Sequence, residues 1–77
     1  MRSFTRQELV AYDGRDGVRA YVAYQGRVYD VSDRFLWRGG RHWATHQAGI
    51  DLTEAIPRAP HRAELLERCP QIGVLVD

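Results

Sequence analysis

Lysine is absent from this chain, and cysteine and methionine occur once each, at Cys69 and Met1. A single cysteine excludes an internal disulfide framework, and a lone thiol fits a reducing compartment. No apolar run is long enough to span a bilayer. The start, Met1-Arg2-Ser3-Phe4-Thr5, lacks the apolar stretch of a signal peptide. The expectation is a soluble, cytoplasmic domain with no membrane insertion. Charge of one sign is also missing: 11 basic residues, every one arginine, meet 10 acidic ones for a net charge of +1. That excludes a polycationic nucleic-acid binder. No phosphate-binding loop, dinucleotide fingerprint or nucleophile elbow is present. With no acid–base pair or nucleophile evident, an enzyme acting alone is not expected.

What remains is an ordinary globular composition, 44% hydrophobic and 27% charged, in 77 residues. That length holds one domain, residues 1–77, and one so small is marginal without a cofactor, a partner or very good packing.

Thr5-Arg6-Gln7-Glu8 is a capping box. It opens a short helix with Leu9, Val10 and Tyr12 inward, ended by Gly14. Asp13 to Gly17 is a loop. Ala20 to Tyr24 and Arg27 to Val31, separated by Gln25-Gly26, predict a β-hairpin. Ser32 is placed to cap a helical turn burying Phe35 and Leu36, which Trp37-Arg38-Gly39-Gly40 breaks. Arg41 to Ala48 is long enough for two helical turns, stopped by Gly49. Asp51-Leu52-Thr53-Glu54 is a second capping box, opening a helix that Pro57 shortens. Arg62 to Arg68 predicts a helix with Ala63, Leu65 and Leu66 inward, and Ile72 to Val76 a strand beside the hairpin. Short helices inserted between β elements bury one another poorly and read as the walls of a pocket.

All three histidines, His42, His46 and His61, lie in that insert. On a helix, His42 and His46 share one face. Imidazole ligates iron, copper and zinc, and histidines on opposite walls of a cleft can bind a haem iron from both sides. Surface histidines are the plain alternative. A zinc-protease helix needs glutamate after the first histidine, and Trp43 stands there. Covalent haem attachment needs two cysteines. Histidine–methionine ligation is disfavoured, because the only methionine is Met1. Tyr21, Tyr24 and Tyr29 lie in the hairpin, where aromatics normally pack in the sheet. Trp37 and Trp43 bracket the glycine pair and either line a flat cofactor or fill the core. Arg34, Arg38 and Arg41 fall in a stretch, Arg34 to Ile50, without an acid. That is a solvated face, or a recognition surface for haem propionates or an acidic partner.

The order Phe4-Thr5-x-x-Glu8-Leu9, Tyr21-Val22-Ala23, Gly26-x-Val28-Tyr29-Asp30-Val31-Ser32 resembles a cytochrome b5-type haem-binding domain. So do Ala48-Gly49-x-Asp51-x-Thr53-Glu54, His61 and Ile72-Gly73-x-Leu75. The resemblance spans Phe4 to Leu75. It implies an α+β fold in which a small mixed β-sheet and short helices form a haem crevice. It also implies non-covalent b-type haem between two axial histidines, and one-electron transfer to a redox partner protein. His61 falls where the family has its second axial ligand. The first departs: the usual His-Pro-Gly-Gly is Trp37-Arg38-Gly39-Gly40 here, and an indole does not ligate iron. His42 or His46 is left as the replacement, with His42 closer to the loop. Trp37, Gly40, Trp43, Tyr29 and Arg41 are the expected cofactor contacts. The departure resembles a prokaryotic subgroup related to the membrane-associated progesterone receptor branch, whose haem orientation differs. Some of that branch ligate through tyrosine, but no tyrosine here falls in the insert. The arginine-rich rim points to an acidic partner. A non-redox haem- or steroid-binding module, a zinc site on the same histidines, and a cofactor-free scaffold are the alternatives.

Overall fold

The computed structural model describes residues 2–32, 41–42, 46–54 and 66–76, with 41–42 and 46–47 described by backbone alone. In chain order the elements are strand β1 (Arg2–Phe4), helix α1 (Arg6–Leu9), and strands β2 (Tyr21–Tyr24), β3 (Arg27–Asp30), β4 (Arg41–His42), β5 (His46–Gln47) and β6 (Gln71–Leu75). Four strands make one mixed sheet in the order β1-β6-β3-β2, and β4 and β5 form a separate two-stranded ladder. The predicted helices over 33–36 and after Asp51 lie outside the described residues, and the predicted helix Arg62 to Arg68 is described only from Leu66, where Leu66 and Glu67 are helical. Among the described residues the helical content is α1 and a turn at Leu66 and Glu67.

The capping box is present: the Thr5 hydroxyl accepts from the Glu8 backbone at 3.1 Å, and the Glu8 carboxylate accepts from the Thr5 backbone at 2.9 Å. That reciprocal pair satisfies two amides that a helix start otherwise leaves bare. The helix closes at Val10, earlier than Gly14, and Val10 is 62% exposed rather than inward.

The predicted hairpin forms because Gln25 and Gly26 both take positive φ, 49° and 78°. This is the two-residue turn whose twist suits antiparallel strands. β2 and β3 pair from Tyr21↔Asp30 to Tyr24↔Arg27. β6 pairs antiparallel with β3 on one side and parallel with β1 on the other. Phe4 lies over Gly73, where a Cβ would come within 2.7 Å of its ring.

Alternation along the strands sorts side chains into two apolar clusters, one on each sheet face. Phe4, Leu9, Ala23 and Val28 are buried on one face, with Tyr12, Tyr21, Ile72 and Leu75 packed around them. Tyr12 and Tyr21 stack at 4.5 Å, and the Arg2 guanidinium covers the Phe4 ring at 4.4 Å. The other face carries Val22, Tyr24, Tyr29 and Val31, covered by Ala48, Leu52, Leu66 and Cys69. Ala48 and Leu52, which follow β5 in the chain, are among the residues that cover this second face.

Candidate functional site

Arg41 to Ala48 is not helical where described. Arg41 pairs with Gln47, and His42 pairs with His46, in an antiparallel ladder. The reason is visible in the residues: Arg41-His42-Trp43-Ala44-Thr45-His46-Gln47 has only Trp43 and Ala44 apolar, and these are adjacent. No stripe at helical spacing exists to bury against the sheet. Directly opposite positions of an antiparallel ladder lie on one face of the ribbon, about 5 Å apart at Cβ. The two histidine positions are thus neighbours through strand pairing, not through an i, i+4 step.

The chain leaving this ladder is strapped to the sheet. Gly49 donates to the Tyr21 carbonyl at 2.7 Å, Ala23 donates to the Ile50 carbonyl at 3.0 Å, and Leu52 donates to the Ala23 carbonyl at 2.7 Å. These bonds cover the outer edge of β2, which would otherwise offer bare backbone groups. Gly49 has φ of +86°, and a Cβ there would come within 3.3 Å of the Leu9 and Val10 carbonyls. Asp51 accepts from both the Thr53 amide and its hydroxyl, the amide at 3.0 Å. The Gln25 amide donates to the Thr53 hydroxyl at 2.8 Å, tying the strap to the hairpin turn. The second capping box is therefore an Asx turn anchored to the sheet where it is described.

The opposite wall returns through Leu66 and Cys69. Cys69 donates its amide to the Leu66 carbonyl at 2.9 Å, and Asp30 donates its amide to the Pro70 carbonyl at 3.0 Å. Cys69 is a buried thiol in the apolar cluster. At the end of β3, Ser32 ties the strand back on itself, and the helical turn expected after it lies outside the described residues. The Ser32 hydroxyl accepts from the Ala20 amide at 2.7 Å and donates to the Asp30 carboxylate at 2.6 Å. Arg19 adds a bond to Asp30 at 2.7 Å. Burial works against ionising Asp30, but the bonds from Ser32 and Arg19 outweigh it and hold the carboxyl below the usual range.

Of the expected contacts, Tyr29 is buried on the crevice face, at 3% exposure, in register with Val22. Arg41 and His42 stand in β4 and His46 in β5. Trp37, Gly40, Trp43 and His61 lie outside the described residues. The sequence reading gave Tyr24 no site role, yet it belongs to the same face as Tyr29. Simple alternation within the hairpin would have placed both there. Among the described residues, no three histidine, cysteine or acidic side chains gather into a metal site. No helix among them is long and apolar enough to cross a membrane.

A sheet face lined by small and aromatic apolar residues, with Ala48, Leu52, Leu66 and Cys69 packed against it, offers a surface for a flat apolar cofactor. The comparison with known proteins decides the family. The Cytochrome b5-like Heme/Steroid binding domain family matches residues 5–76. This chain belongs to that family. The cytochrome b5-like fold is shared with a Hadesarchaea cytochrome b5 domain protein, 59% identical, with a TM-score of 0.92 over 99% of this chain and 100% of the other. A Methanococcoides burtonii cytochrome b5 domain protein is 46% identical, with a TM-score of 0.92 over 99% of each chain. A hypothetical Arabidopsis thaliana protein with a cytochrome b5 like fold superposes at a TM-score of 0.75 with 22% identity, covering 100% of this chain and 93% of its own. Among curated proteins, chitin synthase 6 of Pyricularia oryzae is 37% identical over 59 residues, 70% of this chain but 3% of that protein. The cytochrome b5-like domain thus spans a small part of that enzyme's length.

Proposed function

We propose that this cytochrome b5-like domain holds b-type haem non-covalently between His61 and one histidine of the β4–β5 ladder, and carries single electrons. The observation that carries the reading is the register of His42 with His46. The family's usual first-ligand place is taken by Trp37, and the ladder brings two histidine positions together shortly after it in the chain. The apolar face of Val22, Val31, Leu52 and Leu66 excludes water from one side of such a ligand. When bound, haem supplies a one-electron iron couple. Two imidazoles filling both axial positions suit electron carriage rather than oxygen chemistry, and each needs an acceptor for its second ring nitrogen. Trp37, Gly40, Trp43, Tyr29 and Arg41 are the further contacts proposed for the cofactor.

We place the domain, as one unit over residues 1–77, with the prokaryotic subgroup related to the membrane-associated progesterone receptor branch. The support is the displaced first ligand. The acid-free stretch around Arg34, Arg38 and Arg41 supports an acidic redox partner. Absorption spectra of haem-loaded protein, oxidised and dithionite-reduced, test the reading. Sharp low-spin visible bands on reduction, lost in His61→Ala, are expected. A high-spin spectrum, or one indifferent to His61→Ala, would turn the reading to a non-redox haem- or steroid-binding module.

A further inference from the structure

Two phenols lie on the crevice face of the sheet, and neither hydroxyl has a hydrogen-bond partner among the described residues. Tyr29 is 3% exposed and Tyr24 is 7% exposed. Buried tyrosine hydroxyls ordinarily find a partner, because a desolvated phenol without one costs free energy. The contrast within this chain is instructive: Tyr12, only part-buried on the opposite face, accepts a bond from Arg2 at 2.8 Å. Tyr24 and Tyr29 are more buried than Tyr12 and, among the described residues, have no such bond.

Their placement links them. Tyr29 sits opposite Val22, and Tyr24 follows Val22 by two on the same strand and face. The two tyrosines are therefore diagonal neighbours, a spacing within reach of aromatic side chains. Each belongs to a different wall. Next to Tyr24, the Gln25 amide is bonded to Thr53, and the strap 49–52 runs back toward the histidine ladder. Tyr29 sits opposite Gln71, where β6 carries one extra residue, Ile72, against β3. Bulges of this kind bend the strand and re-aim neighbouring side chains, and they are common beside binding sites. The chain before Gln71 runs back through Cys69 and Leu66, which pack on the same face.

We propose that the Tyr24 and Tyr29 hydroxyls are the sheet-side polar contacts of the bound ligand, donating to a propionate carboxylate of haem. The proposal rests on the haem reading and deepens it. The only polar groups on the periphery of protoporphyrin are its two carboxylates, and phenol-to-carboxylate bonds are charge-assisted and short. Tyr24, beside the exposed turn Gln25-Gly26, keeps that carboxylate near the rim rather than in the interior.

The test compares wild type with Tyr24→Phe, Tyr29→Phe and the double variant in two readouts. In the haem-free protein, thermal midpoints should stay level or rise, since each change removes a buried hydroxyl that has no partner among the described residues. In titrations, affinity for protohaem should fall about tenfold for each hydroxyl engaged. Affinity for its dimethyl ester, which carries no carboxylate, should change far less. Lower midpoints without haem would overturn the proposal, because the hydroxyls then serve the fold. Equal losses for the two porphyrins, or none, would overturn it as well. Wild-type protein that binds neither porphyrin would instead remove the haem reading, and this proposal with it.

Discussion

His42 and His46 are register partners, directly opposite one another in a two-strand ladder, and not members of one helical turn. On a helix the same two positions would be offset by one turn along the axis, at about 5–6 Å between Cβ atoms. In a ladder the partner is one cross-strand spacing away, about 5 Å at Cβ.

The ladder therefore predicts redundancy. His42→Ala and His46→Ala should each weaken haem binding yet retain a low-spin fraction, and the double variant should lose it. Reduced visible spectra check this. A single variant that is wholly high-spin would assign the ligand to that residue alone.

Asp30 predicts an acid-side stability loss. Its folded pKa lies below the ordinary aspartate value of about 3.9. Its contribution is thus complete above roughly pH 4 and is lost as pH falls through the lower folded value. Asp30→Asn should cost about 1–3 kcal/mol at neutral pH. The gap from wild type should close in acid. Urea midpoints measured from pH 7 to pH 3 read both. Glu8 is also held low by its bonds with Thr5, but it is common to both proteins and drops out of the difference.

Gly73 predicts a tight-packing penalty. A methyl group there meets the Arg2 carbonyl and the Phe4 ring. Gly73→Ala should destabilise by about 1–3 kcal/mol or more. In a Phe4→Ala background the penalty should be smaller, because the ring contact is gone while the Arg2 carbonyl remains. A double-mutant cycle by chemical denaturation measures that coupling.

Gly49 predicts a conformational penalty. Its φ of +86° and its closeness to the Leu9 and Val10 carbonyls leave little room for a side chain. Gly49→Ala should cost about 1–2 kcal/mol from the left-handed backbone alone. Hydrogen exchange at Ala23 and Leu52, whose amides bond across the strap, should accelerate with it.

The sequence displayed the parts of this fold whose causes are local. Gln25-Gly26 dictates its turn through two backbone angles, and Thr5 with Glu8 closes its cap within four residues. β6 read correctly because Ile72 to Val76 has strong β propensity between Pro70 and the chain end. β1 did not: Arg2-Ser3-Phe4 is too short for a pattern, and its partner Gly73 lies at the other end of the chain. His42 and His46 stand in a ladder where the length of Arg41 to Ala48 suggests a helix, since Arg41 to Gln47 carries no apolar stripe at helical spacing. The bonds of the Ser32 hydroxyl to Asp30 and Ala20 were not legible either, because they depend on strand pairing. At the candidate site, the residue types were legible and their juxtaposition was not. Nothing in the spacing of Tyr24 and Tyr29 announces that neither phenol finds a partner among the described residues.

The single sheet layer also divides the molecule's cohesion into two accounts of unequal security. The cluster of Phe4, Leu9, Ala23 and Val28 is completed by residues of the strands, α1 and the adjoining loop. The cluster of Val22, Tyr29 and Val31 depends on Leu52 and Leu66 from the walls. Emptying the front need not melt the back. The second cluster can come apart by sub-global unfolding and re-form on a sheet that stays paired.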